Sequence, residues 1–295
     1  MDRSRVLIGV PVDSSGVGGG LEIGPVVLRR LGLREAVGAA RDFNDMPVRI
    51  RGDRDRKTGV IGFASVAEMT AEVRRQVGAA LAEGLVPVLI GGCCSYLPGA
   101  LAGARDALGR ISLAYVDGHI DLYDGRTSPT GELADMPLGI VLGRGPGAFA
   151  PLMGAPAVID AADVALLGAR DAQDAIGFGS VSPQDCGLRV QDPAALRRTG
   201  FAEAGTAAAD LLAAGPGRFW LHLDYDVLDA DAFPAVDYRM PGGLQPDELV
   251  ALIRPLVGSP ALAGLSLACY NPGLDDLELT GGRLAVDILA RAFAP

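Results

Sequence analysis

Two short stretches carry the residue types in this chain best suited to chemistry. Asp117-Gly118-His119-Ile120-Asp121 reads D-x-H-x-D, and Asp224-Tyr225-Asp226 reads D-x-D, with Asp229 three residues further on. In an extended segment each stretch points these side chains to one side, because successive side chains alternate across a strand. If the two stretches are neighbours, at least four carboxylates gather around an imidazole, and at ~5 Å and an effective dielectric near 20 each like-charge contact costs about 3 kcal/mol. A divalent cation relieves that cost, and aspartate oxygens with an imidazole suit Mn(II), Zn(II) or Fe(II). Bridging carboxylates can hold two ions ~3.5–4 Å apart and supply a hydroxide nucleophile near neutral pH. A lone D-x-D is usually a helix cap or a solvated edge; both motifs together in one α/β chain point to a metal site.

The cysteines raise a second possibility. Cys93, Cys94, Cys186 and Cys269 are too few for a disulfide scaffold in 295 residues. Cys94, just after Gly91-Gly92, could ligate a metal, act as a thiol nucleophile with His119 as its base, or pair with Cys269 in a disulfide. In an extended segment only one of Cys93 and Cys94 can face a pocket. His222, inside an apolar run, is expected to make a structural hydrogen bond.

The elements that must position these residues are apolar runs at 6–10, 86–90, 111–116, 164–168, 218–223 and 263–268. Helical stretches are expected at 193–214, 246–257 and 277–293, and Ser65-Val66-Ala67-Glu68 reads as a capping box opening another that runs to about residue 83. Residues 41–59 are locally charged and read as a surface loop. Continuous apolar strands between amphipathic helices predict a parallel sheet covered on both faces, whose ligands sit at the carboxyl ends of the strands. The D-x-H-x-D, D-x-D and both Cys94 and Cys269 follow such runs.

Composition narrows the function classes. With 49% hydrophobic and 21% charged residues and a mean hydropathy of +0.29, the chain is expected to bury a large core. A formal charge of −10 argues against a nucleic-acid partner. No apolar stretch reaches the ~18 residues of a membrane span, and Met1-Asp2-Arg3-Ser4-Arg5 lacks a signal peptide's apolar segment, so a cytoplasmic protein without membrane partners is expected.

Several motifs together carry a resemblance. Gly24-Pro25-Val26-Val27-Leu28-Arg29 follows the first strand and Gly-rich loop, and D-x-H-x-D, D-x-D-x-x-D, Pro241-Gly242-Gly243-Leu244 and Asn271-Pro272 come in that order. The chain resembles the ureohydrolase family, which includes arginase, agmatinase and formiminoglutamase. That resemblance implies one three-layer α/β/α domain over residues 1–295 with a mostly parallel central sheet. It also implies a homo-oligomer, trimer or hexamer, and a binuclear manganese cluster whose metal-bound hydroxide attacks a guanidinium carbon of a small-molecule substrate. Asp117, His119, Asp121, Asp224 and Asp226 take metal-ligand roles by this resemblance, with Asp121 also orienting the hydroxide.

The departures lie in the site. Cys94 stands where the family's G-G-D-H-S motif has its ligand histidine, Cys269 where it has a guanidinium-binding glutamate, and Ala134 where it has a histidine before G-x-P. Cys94 as sixth ligand would favour Zn(II) or Fe(II) over Mn(II); otherwise one of the two ions is lost. Without the glutamate a guanidinium loses a charge-assisted partner worth ~2–3 kcal/mol, so arginine and agmatine are not the expected substrates. Cys269, Tyr238 and Glu132 are the candidate substrate contacts, with Tyr238 and Met240 giving a less polar wall. The expected function is a hydrolase acting on an amidine, amide or related C–N centre. The alternatives are a metal-free or metal-poor cysteine enzyme, in which Cys94 carries out acyl transfer, thioester hydrolysis or cyclisation, and an inactive relative that only binds.

Overall fold

Among the described residues eight segments pair as strands: β1 Arg5–Val10, β2 Ala39–Asp45, β3 Val86–Gly91, β4 Ser112–Val116, β5 Val164–Leu167, β6 Arg189–Gln191, β7 Phe219–Asp224 and β8 Leu262–Ala268. The structure, a computed structural model, describes residues 4–294, so Met1 to Arg3 and Pro295, the ends of the expected domain and part of the N-terminal reading, lie outside the described residues. The strands form one sheet in the order β2-β1-β3-β8-β7-β4-β5-β6, and every pairing within it is parallel. Strands β3, β4, β5, β7 and β8 are buried along their whole length. Apolar side chains on both of their faces therefore need cover from two sides, which is why these runs do not alternate in polarity.

Helices supply that cover. Val66, Val73 and Val77 of Phe63–Ala82 pack with Leu97 and Leu101 of Leu97–Leu108 in one core. Leu212 of Phe201–Ala214, Ile253 and Leu256 of Pro246–Gly258 and Ile288 of Thr280–Phe293 build the other. The result is the three-layer α/β/α arrangement expected. After β3 the chain crosses to β4 on the far side of the sheet, and β7 and β8 later fill the space between, leaving a crevice where the strand order switches.

Several boundaries differ from expectation. The charged segment 41–59 begins not as a loop but as edge strand β2, which pairs with β1 and has only Ala39 buried. The helix expected to open at Ser65 opens at Phe63 after a left-handed Gly62, and the Ser65 hydroxyl instead bonds the Arg51 carbonyl at 3.3 Å. Gly200, at φ 91°, divides the stretch 193–214 into Pro193–Thr199 and Phe201–Ala214. The last helix starts at Thr280, three residues later than expected, behind a left-handed Leu279. β6 and the helix Leu97–Leu108 had no clear sequence signal.

Candidate metal centre

The four strand ends that carry the chemistry belong to four consecutive strands, β3, β8, β7 and β4. Cys94 follows β3, Cys269 follows β8, Asp224 ends β7 with Asp226 just beyond it, and Asp117, His119 and Asp121 follow β4. Their convergence does not come from extended alternation. Asp224 leads into a 3-10 turn, Tyr225–Val227, and the chain after β4 turns at once, with Asp121 at φ 46°. Backbone amides hold these turns: the N–H of His119 donates to Asp117 Oδ1 at 2.7 Å and that of Asp226 to Asp224 Oδ1 at 2.9 Å.

In this chain the surroundings close in on Gly118. A Cβ there would lie 2.7 Å from the Asp226 carbonyl oxygen and 2.6 Å from Arg170 Nη1. Its N–H donates to Asp226 Oδ1 at 3.0 Å, stitching the two acidic motifs together. From the other side the Arg170 guanidinium donates to the carbonyls of Asp226, Met240 and Leu228 at 2.9, 3.0 and 3.1 Å and clamps the loop after β7.

The acidic groups are almost wholly buried. Burial and the neighbouring Asp226 charge push Asp117 up to about 7. Burial likewise raises Asp121, with the Asp117 charge adding to it, and raises Asp224, with Asp226 adding to it. His119 Nδ1 and Asp226 Oδ2 are 2.9 Å apart. Burial opposes charge on both, yet their attraction holds the imidazole well above its ordinary value and the Asp226 carboxyl below its own. The Tyr115 hydroxyl donates to Asp121 Oδ2 and fixes that carboxylate.

His222 makes the structural bond expected and does something more. Its Nδ1 lies 2.8 Å from Ser266 Oγ, which also accepts the Trp220 indole N–H at 3.0 Å. Its Nε2 faces Asp117 Oδ2 at 3.9 Å, too far to bond, and both atoms are buried without a hydrogen-bond partner. Burial lowers His222 to about 3, so the imidazole is neutral and no ion pair forms. The two-residue spacing from Asp224 was the signal that this ring shares the acidic face.

Among the described residues, donor atoms within 4.8 Å of one another occur in three sets: Asp117, His119 and Asp226; Asp117, His222 and Asp224; and Cys94, Asp224 and Cys269. The first set is hard, nitrogen and carboxylate oxygen, and suits a divalent cation such as Mn(II). The orphaned Oδ2 of Asp117 faces His222 Nε2 on the side of the second set, and a buried carboxylate oxygen without a donor is the atom a cation would satisfy. The residues present therefore fit a metal centre. The third set contains two sulfurs and suits softer ions.

Cys94 faces a cavity of about 310 Å³, which is also lined by Asp117, His119, Asp121, Asp224, Asp226, Tyr238 and Cys269. Cys93 turns into the core, with its Sγ 2.9 Å from Ser95 Oγ, because Cys93 is extended whereas Cys94 starts a 3-10 turn. Both Cys94 and Cys269 are free thiols, so the disulfide considered from sequence is not present. Cys94 Sγ donates to the Ala134 carbonyl at 3.2 Å and lies 3.5 Å from Asp121 Oδ2. Among the described residues no hydrogen bond joins it to His119, whose Nδ1 is engaged by Asp226. Its bond with Cys269, burial and the Asp121 charge hold the thiol well above its usual range, which disfavours a free thiolate nucleophile.

Of the candidate substrate contacts, Tyr238 and Cys269 line the cavity and Glu132 does not. The Glu132 carboxylate accepts from Ser14 Oγ at 3.1 Å and from the Tyr238 hydroxyl at 3.3 Å, bracing the wall behind it. Sequence reading missed Phe178, Ala175 and Asp174, which complete the mouth from the segment after β5.

An all-parallel α/β/α sandwich with a carboxylate-rich, metal-competent crevice at its switch point is the class of protein these observations define. The family model of the arginase family matches residues 3–294, and the chain belongs to that family, whose members are hydrolases of C–N bonds other than peptide bonds. It is 27% identical to an arginase of Bacillus subtilis over 98% of this chain and 97% of that one, and 29% identical to a formimidoylglutamase of Halobacterium salinarum over 99% and 87%. The arginase structure from Bacillus caldovelox superposes with a TM-score of 0.89 at 25% identity, covering 99% of each chain. No helix among the described residues is long and apolar enough to cross a membrane.

Proposed function

We propose that this chain is a metal-dependent hydrolase acting on a C–N centre of a small molecule other than arginine or agmatine. The observation that carries the reading is the convergence of Asp117, His119, Asp224 and Asp226 on one crevice, with Asp117 Oδ2 left without a donor. These residues would hold the ions, and the chemistry divalent ions supply when bound is a water of lowered pKa and a polarised C–N carbon. Asp121, fixed by Tyr115, lines the same cavity and in this reading orients a nucleophilic water and keeps its proton. Ala134, which also lines the cavity, can carry no proton.

The cavity supports the substrate class. Its deep end is acidic, while Phe178, Tyr238 and Met240 give the mouth apolar surface beside Asp174. Cys269, in place of a carboxylate, offers no charge to a guanidinium. The reading is therefore of an amidine, amide or related group carried on a less polar body than arginine, of a size that a few hundred Å³ admits.

The test is release of amine, ammonia or urea from a panel of amidines and amides, with arginine and agmatine included, by protein loaded with Mn(II) or Zn(II). Metal-dependent turnover of a panel member, lost in Asp226→Asn, supports the reading. Arginine as the best substrate overturns the assigned substrate class. Equal turnover with and without metal overturns the metal dependence.

A further inference from the structure

The loops carrying Cys94 and Cys269 are tied together. The Cys269 N–H donates to the Gly92 carbonyl at 2.6 Å, and Cys269 sits in the left-handed region at φ 67°, a conformation a non-glycine residue holds only where the surroundings dictate it. That turn brings the Cys269 sulfur, the Cys94 sulfur and an Asp224 oxygen to within 4.8 Å of one another. Asp121 Oδ2 is a further donor 3.5 Å from Cys94 Sγ. Three donors of type S2O thus lie together, with the Asp121 carboxylate beside the Cys94 sulfur. In tetrahedral zinc sites with Zn–S near 2.3 Å, neighbouring sulfurs are about 3.8 Å apart, so the spacing needs only a small contraction.

We propose that Cys94, Cys269 and Asp224 form a sulfur-rich cation position for Zn(II) or a similarly thiophilic dication, beside the harder position of Asp117, His119 and Asp226. The inference rests on the metal-centre reading above and deepens it. Cys269 becomes a metal ligand rather than a substrate anchor, and the two positions of the site differ in the ion they select. Binding displaces the two thiol protons to solvent, so two thiolates and the Asp224 carboxylate face one dication. The first position keeps imidazole and carboxylate donors and takes Mn(II) without sulfur.

Co(II) titration of metal-free protein tests this without any substrate, because cobalt bound to thiolate shows a near-ultraviolet sulfur-to-metal charge-transfer band. The expected result is a band in the wild type that weakens by about half in Cys269→Ser, as follows when one of two thiolate ligands is lost. The band should vanish in Cys94→Ser/Cys269→Ser, and Zn(II) should displace cobalt from this position while Mn(II) does not. Circular dichroism melts of each variant verify folding, and Cys93→Ser serves as a cysteine control whose band is unchanged. A full band in Cys269→Ser, or none in wild type while metal analysis still finds bound cobalt, overturns the proposal. The latter outcome leaves the hydrolase reading standing, whereas a strong band with no metal-dependent turnover removes that reading and leaves this one.

Discussion

Asp224→Asn separates the cost of the acidic cluster from its use. Asp224 Oδ1 keeps its bond from the Asp226 N–H in an asparagine, so the 3-10 turn survives, but one negative charge leaves a buried group of four. A carboxylate oxygen of Asp224 lies within 4.8 Å of one of Asp117. At that distance and an effective dielectric near 20 the contact is worth about 3 kcal/mol of repulsion when both are charged, an upper bound because burial lets one of them hold a proton instead. Either way the native state is relieved, so metal-free Asp224→Asn should be the more stable protein. For 295 residues the unfolding entropy near the midpoint is about 0.6 kcal/mol per degree, so relief of up to ~3 kcal/mol raises the melting temperature by up to ~5 °C. Metal acts in the opposite sense. At one hundred times its dissociation constant a cation adds about 2.7 kcal/mol, or ~4 °C, to the wild type, and the variant should lose most of that gain. Differential scanning calorimetry of chelator-treated and Zn(II)- or Mn(II)-loaded samples measures both. A metal-free variant that melts below the wild type, or one that keeps the full metal shift, refutes the reasoning that these carboxylates are held together for a cation.

Other substitutions probe the scaffold around the site. Gly118→Ala should cost about 1–3 kcal/mol in urea unfolding, since its Cβ meets the Asp226 carbonyl; near-wild-type stability would contradict the packing. Ser266→Ala leaves the Trp220 indole and one nitrogen of His222 unpaired in the core, at about 1–3 kcal/mol for each group, read from chemical denaturation; a loss under 0.5 kcal/mol, small on the scale of surface changes, would count against that buried network. Tyr238→Phe removes the bond to Glu132 but keeps the ring, so KM should rise with kcat little changed; a fall in kcat alone would place Tyr238 in the chemical step. Phe178→Asp, at the exposed mouth, should weaken turnover of the less polar panel members while leaving the melt and the metal content unchanged, and a drop in metal content would mean the mouth reaches the cluster.

The groups able to form the site, and the strands that carry them, were legible in the order of residues alone. Continuous runs such as Leu113 to Val116 and Leu221 to Leu223 must be buried on both faces, and this local signal sufficed for the parallel sheet and the placing of function at its carboxyl edge. The acidic motifs were legible because like charges so closely spaced have few uses besides a cation. Strand order is a different matter, since pairing between β3 and β8 joins segments about 180 residues apart, and nothing local in either dictates it. Only the tertiary structure put β8 and β7 between β3 and β4, and so set Cys269 beside Cys94 and Asp224. Only it turned His222 toward Asp117 while Ser266 of the neighbouring strand took its other nitrogen, and turned Glu132 away from the cavity to brace Tyr238. Edge strand β2 escaped sequence reading for a related reason: a strand covered on few sides needs no apolar run, and its identity comes from the backbone of β1 alongside it.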